Sequence, residues 1–345
     1  MKKLLTVLLS LLVALCLFGC SSGDSGSGDT STTESGEKKL KIAVMPAYVP
    51  EEWSQTIIKG AQAACDYYGY EMHVLDPDYD VTKQISCMED AATGGYDALI
   101  MQSVNGAALI DKCKELVEGG LIIVDFDCLI AETGSVVSPA TASVKANDVE
   151  GGATALDLLV EEIGEDATIF LVEETPGVDT GLFRNQGFTE AAAKYPNLKI
   201  IERRNTGDGD SRALNHDLLS DALLANPEIT GYFAYYGDAS LGAYEACEEL
   251  DRKDVKIVGY DATADQIDHM QNDEDCNIIA SIANNPGMLG GAAVELVHAV
   301  VEYGYTKRSE DDVFEIHNAL VTLENASTYS DPIWSEPIYT EADFK

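Results

Sequence analysis

The sequence predicts an α/β protein built from two doubly wound lobes. Three observations carry that expectation. From residue 40 onward, short apolar, β-rich runs alternate with longer segments of helical period. The runs are apolar on both faces, as the strands of a parallel sheet covered by helices on either side must be. The series restarts near residue 147, which two separate sheets explain better than one very large one.

In the first series the strands are expected at 40–45, 71–75, 98–101 and 121–126. Trp53, Ile57, Ala61, Ala64 and Tyr68 fall on one helical stripe between the first two of these runs. The second series places strands at 168–172, 198–202, 231–235, 256–260 and 277–282. Leu156, Leu159, Val160 and Ile163 form the stripe of the helix that precedes it, and 210–225 and 287–301 are further helices. In open sheets of this kind ligands bind beyond the carboxyl ends of the strands. That rule singles out Tyr48 and Trp53 after the first strand, Gln102 after the third and Asp127 after the fourth. In the second series it singles out Arg184, Tyr236, Asp238, Asp261 and Asn284.

The N-terminus has a different character. Lys2 and Lys3 precede an apolar run over 4–18, interrupted only by Thr6 and Ser10, and Leu17-Phe18-Gly19-Cys20 follows. This is the zoning of an export signal, with an apolar stretch too short to favour a stable membrane span. The tetrapeptide resembles a bacterial lipobox. The expectation is a signal peptide over 1–19 and an acylated Cys20 that holds the mature chain to the outer face of a membrane. Residues 21–37 are Ser, Gly, Thr, Lys-free and rich in acid, with no apolar side chain, so 20–38 is expected to be a flexible tether.

Charge narrows the partners. The chain has 22 basic and 60 acidic side chains. Removing residues 1–19 takes away two lysines and no acid, leaving 20 minus 60, or −40. Such a surface disfavours nucleic acid and anionic lipid as partners. Six cysteines follow Cys20 (Cys65, Cys87, Cys113, Cys128, Cys247 and Cys276) without a CxxC pair or a zinc spacing. Buried free thiols are the expectation for them. No GxSxG, Walker loop, GxGxxG or HExxH occurs, and acidic pairs are too common in this composition to indicate acid/base chemistry. No catalytic residue, metal or cofactor is expected.

Several segments taken in order resemble the ribose/galactose-type solute-binding proteins of sugar ABC transporters. They are Ile42-Ala43-Val44-Met45 with Lys59-Gly60-Ala61-Gln62, Tyr68-Gly69-Tyr70 before Val74-Leu75-Asp76, and Asp97-Ala98-Leu99-Ile100. Ile123-Val124-Asp125-Phe126-Asp127 is similar to the family strand that ends in a sugar-binding Asp, and Asn147-Asp148 with Gly151-Gly152 to its entry into the second lobe. Arg184-Asn185-Gln186-Gly187-Phe188 resembles R-x-x-G-F, and Val258-Gly259-Tyr260-Asp261-Ala262-Thr263 resembles V-G-[FY]-D-x-T. Ala280-Ser281-Ile282-Ala283-Asn284-Asn285-Pro286 fits the return to the first lobe.

The resemblance covers about 40–325 and implies two Rossmann-like lobes joined by three crossovers, with the ligand enclosed between them. The lobes would be 39–146 plus 286–318 and 147–285 plus 319–345. There are departures. Tyr236-Gly237-Asp238 lacks the usual Asn, Cys128 stands where ribose binders have Arg, and Gly209 stands where an aromatic is common.

The resemblance and the strand-end rule converge on eight ligand-binding candidates. Asp127 and Asp261 would each accept hydroxyl hydrogen bonds from a diol, although Asp also favours a helix N-cap. Arg184 would offer a planar fork of donors, and Trp53 an aromatic face. Gln102 and Asn284 would both donate and accept, and Tyr236 and Asp238 would complete the second wall. The implied function is an extracytoplasmic lipoprotein that binds a small neutral sugar or polyol. It would close by a hinge and deliver the ligand, as a monomer, to ABC permease subunits. A sensory receptor of the same fold, or a surface-anchored hydrolase, are the alternatives.

Overall fold

The structure, a computed structural model, describes residues 39–173, 179–204 and 211–345. The expected signal peptide, the Cys20 anchor, the tether and Gly209 lie outside the described residues.

Two six-stranded sheets form. The first runs β1 (Lys41–Met45), β2 (Glu71–Val74), β3 (Ala98–Met101), β4 (Ile122–Phe126), β5 (Ala142–Ala146) and β11 (Phe314–Ile316), in the order β11-β5-β4-β3-β1-β2. The second runs β6 (Thr168–Glu173), β7 (Lys199–Arg204), β8 (Ile229–Phe233), β9 (Lys256–Tyr260), β10 (Ile278–Ala283) and β12 (Ala319–Thr322), in the order β12-β10-β9-β8-β6-β7. All neighbours are parallel except β10 and β12. The two orders are the same pattern repeated, so β4 and β9 are equivalent strands, as are β5 and β10.

The chain passes between the sheets three times: from β5 into α4 (Asp148–Ile163), from β10 into α9 (Pro286–His298), and from β11 to β12. The first sheet is covered by α1 (Glu52–Tyr68) and α9 on one face and by α2 (Val81–Thr93) and α3 (Gly106–Glu118) on the other. The expected α1 stripe is the buried one, with Ile57, Ala61 and Ala64 fully buried against α9. The second sheet holds its own core around Phe170, Phe188, Tyr232 and Phe233, beneath α4, α5 (Asp179–Ala191), α6 (Ser211–Ala225), α7 (Gly237–Glu249) and α8 (Ala264–Asn272).

The C-terminal segment departs from expectation. β12 and Ala326 belong to the second lobe, but Trp334, Tyr339 and Phe344 pack in the core of the first, so 319–345 does not stay with the second lobe. The reason is local. A Cβ on Gly291 would overlap the Trp334 indole, so the small face of α9 leaves a slot that the ring fills. Buried Glu295 on α9 then accepts from Trp334 Nε1 at 2.5 Å and from the backbone N–H groups of Ile338 and Tyr339. The six cysteines after residue 38 are free thiols, four of them buried.

Candidate functional site

The carboxyl ends of the two sheets face one another across a cavity of about 760 Å³. Trp53, Gln102 and Asp127 line it from the first lobe, and Arg184, Tyr236, Asp238, Asp261 and Asn284 from the second. The structure therefore brings all eight candidates to one cavity. Tyr48 is exposed and is not part of its wall.

In the first lobe, Asp127 directly follows β4 in a left-handed conformation, φ 59°, and its N–H donates to Val144 O on β5. Gln102, directly after β3, accepts from Ala47 N–H at 3.1 Å and donates Nε2 to Asp127 Oδ2 at 2.8 Å. Those two partners orient its amide. The loop beyond is held by buried Asp125, whose Oδ2 accepts from Ile130 N–H and Ser138 Oγ. Burial raises the Asp127 carboxyl to about 6, with the Asp148 carboxylate adding to the rise, while Arg184 and Gln102 oppose it.

In the second lobe, Asp261 directly follows β9, also left-handed at φ 74°, and its N–H donates to Ile282 O on β10. Its Oδ2 accepts from Gly237 N–H at 2.9 Å, and Oδ1 lies 3.4 Å from Asn284 Nδ2 and 3.8 Å from Arg184 Nη1. Asn284 Oδ1 accepts from Trp53 Nε1 at 3.0 Å, a hydrogen bond that joins the lobes across the cleft. Trp53 also stacks on Phe126, so its ring faces core as well as cavity. Tyr236 is half-buried at the entry to α7, and Asp238 is exposed in that helix's first turn, where the helix dipole favours an acid.

Arg184 is placed by glycine. A Cβ on Gly152 would overlap Arg184 O, and one on Gly187 would overlap Val149 O, so α4 and α5 touch along their backbones only because both positions are Gly. The buried guanidinium donates Nε to Asp148 Oδ1 at 3.0 Å and Nη1 to Tyr235 O at 2.8 Å, and lies 3.8 Å over the Tyr260 ring. Asp148 Oδ2 is 3.0 Å from Lys145 Nζ on β5, and that ammonium lies 4.0 Å from the Phe183 ring centroid. A buried Lys145–Asp148–Arg184 chain thus spans the first crossover. Burial works to lower the Arg184 pKa, and the nearby carboxylates, Asp148 foremost, more than offset it.

Strand-end position did not nominate Thr180, Glu51, Asp331 or Tyr79 at the cavity, nor Asp148 and Lys145 in the ion-pair chain that ends at Arg184. Asp148 lies in the quoted Asn147-Asp148 pair, so its position was legible, but its two cationic partners were not. Tyr79 lies in the loop after β2 and, like Asp78, is left-handed (φ 55° and 57°). For a bulky side chain that is a true outlier, at a cost on the order of 1–3 kcal/mol. Among the described residues no cluster of three or more His, Cys, Asp or Glu is arranged to hold a metal ion. The walls combine carboxylate acceptors, amides that donate and accept, one guanidinium and aromatic faces. That set can hold a polyhydroxylated molecule through paired hydroxyl contacts.

A family profile described as periplasmic binding protein domain matches residues 42–305. The ribose import binding protein of Salmonella typhimurium is 25% identical over 302 residues, covering 88% of this chain and 93% of that one. The D-apiose import binding protein of Paraburkholderia graminis is 26% identical over 268 residues, 77% of this chain and 82% of its own. Among solved structures, an Agrobacterium vitis ABC transporter solute-binding protein with α-D-tagatopyranose superposes with TM-score 0.75 at 20% identity, covering 86% of this chain and all of that one. The Caulobacter myo-inositol binding protein superposes with TM-score 0.71 at 21% identity, over 84% of this chain and 96% of its own.

Proposed function

Because the chain belongs to the periplasmic binding protein family, we propose that it binds a small sugar or related polyol in the interlobe cleft as the solute receptor of an ABC importer. One observation carries this reading. Asp127 and Asp261, from equivalent strand ends of different lobes, line the same cavity beside Arg184, so a polyol gripped by both would hold the lobes together. The ligand is neutral, and permease subunits receive the closed form. The names of the relatives, which are import binding proteins for ribose and apiose, support the same ligand class. Attachment through an acylated Cys20 belongs to this proposal and rests on the sequence Leu17-Phe18-Gly19-Cys20 alone. Loss of acyl labelling in Cys20→Ala would support it, and unchanged labelling would remove it.

The ligand reading is tested by a thermal-shift screen of residues 39–345 against pentoses, hexoses, inositols and acyclic polyols, followed by calorimetry on Asp127→Ala and Asp261→Ala. A ligand at 100 times its Kd adds about 2.7 kcal/mol of stability. Each substitution is expected to weaken the best ligand at least ~10-fold, about 1.4 kcal/mol. A polyol that binds both variants as tightly as the parent would show that it is held elsewhere.

A further inference from the structure

We infer that Asp331 is a further ligand-binding carboxylate of the cleft, accepting a hydroxyl of the bound polyol; the inference rests on the polyol reading of the site. Asp331 lines the cavity, and it arrives there by its own route. Every other described residue of the wall precedes α9, whereas Asp331 lies after β12, on the stretch that returns from the second lobe to the first. The family profile ends at residue 305, short of this stretch. The chain is fastened on both sides of Asp331. Before it, Ala326 is buried in the second lobe's core with Tyr329 packed against that core, and Gln271 Nε2 on α8 donates to Ala326 O at 2.8 Å. After it, α9 takes the chain: a Cβ on Gly287 would lie 2.5 Å from Pro332 O, and Trp334 fills the slot at Gly291. Pro332 also disfavours helical backbone at Asp331. The Tyr329 hydroxyl donates to Asp331 Oδ1 at 2.6 Å and so orients the carboxylate. Its other oxygen, Oδ2, meets no donor among the described residues.

Folding alone does not account for an acid at this place. Asp331 is half-buried, and burial raises its pKa, with the Tyr329 hydroxyl opposing the rise. Its charge in turn adds to the rise of the Asp261 carboxyl, so the two acids stand near enough to disfavour each other's ionisation. The brace to Tyr329 needs only a neutral acceptor, which an asparagine would provide. A carboxylate adds a strong acceptor for a second donor, and hydroxyls are the donors a polyol carries. A hydroxyl bonded to Oδ2 would offset part of what burial costs this group. Asp127 and Asp261 offer acceptors from the two sheets, and Asp331 offers a third from the segment that ties one lobe to the other.

The test titrates D-ribose, D-allose and myo-inositol by calorimetry into the parent, Asp331→Asn, Asp331→Ala, Tyr329→Phe and Asp261→Ala, and melts each protein before any probe is added. Asp331→Asn keeps an acceptor for Tyr329. It is expected to melt no lower than the parent and to bind the tightest probe about 3- to 10-fold more weakly. Asp331→Ala is expected to lose at least as much affinity. Tyr329→Phe removes the brace and keeps the carboxylate, and is expected to bind within about 3-fold of the parent. Parent affinity in both Asp331 variants would overturn the inference. An equal loss in Tyr329→Phe would overturn it too, because that assigns Asp331 to the brace alone. If Asp261→Ala still loses binding in either case, the polyol reading stands without the inference. If the parent binds none of the three probes and no other polyol in the screen, the polyol reading falls and takes the inference with it.

Discussion

Asp127 and Asp261 share one backbone device and live in different electrostatic settings. Each directly follows an equivalent strand, each is left-handed, and each N–H bonds to the next strand of its sheet. Asp261 has a guanidinium 3.8 Å away, a backbone N–H and an amide. Asp127, only 6% exposed, has the Gln102 amide, and its Oδ1 meets no donor among the described residues. The repeated fold thus determines where a carboxylate stands, while the neighbouring helices determine what it costs to ionise. The second lobe has α4 and α5 close enough to hold Arg184 there. In the first lobe the equivalent carboxylate is left to neutral donors, the Gln102 amide and the Cys128 thiol.

The largest effect should come from the anion that secures that cation. Asp148→Ala removes the carboxylate between buried Lys145 and buried Arg184. Leaving buried charges uncompensated costs about 3–5 kcal/mol, and urea unfolding at neutral pH should show a loss of that size. Little or no loss would mean that the two lobes' carboxylates differ less than their surroundings imply. Arg184→Ala should also destabilise, because it strips Asp148 and Tyr260 of a partner.

A pH experiment sharpens the contrast on the other side. The Asp127 carboxyl is raised to about 6 in the fold, against about 3.9 when unfolded. The folded state therefore holds the proton more tightly, and this group's contribution to stability increases as pH falls through 6 and levels off below about 4. Two units correspond to about 3 kcal/mol at most. Asp127→Asn should accordingly be more stable than the parent at pH 7.5, by about 1–3 kcal/mol, and equal to it near pH 4. A variant less stable than the parent at pH 7.5 would show that the ionised carboxylate is well accommodated. The smallest effect is the control: Glu161→Ala, exposed on α4, should change stability by less than about 0.5 kcal/mol.

Much of this was legible in the chain. Strands that are apolar on both faces, and helices with one apolar stripe, disclosed the order of elements and thereby the strand-end residues. The R-x-x-G-F segment disclosed Arg184, and Gly152 and Gly187 explain physically why a glycine belongs there. β5, β11 and β12 were not legible. No helix separates β4 from β5 or β11 from β12, so these strands stand outside the strand–helix alternation by which the others were read. Tyr79 was missed because loop conformation has no periodicity to read.

By itself the sequence determined the α/β class, the repeat of the sheet series and the places where carboxylates end strands. These follow from local hydrophobic patterning, which acts over a few residues. Only the tertiary structure decided that the ends of two sheets meet at one cavity, that Lys145 and Arg184 share Asp148, and that Trp334 returns to the first lobe. Those outcomes depend on helix approach distances and on burial of charge between segments far apart in the chain. A carboxylate's partners are set by what packs beside it, and local pattern does not encode that.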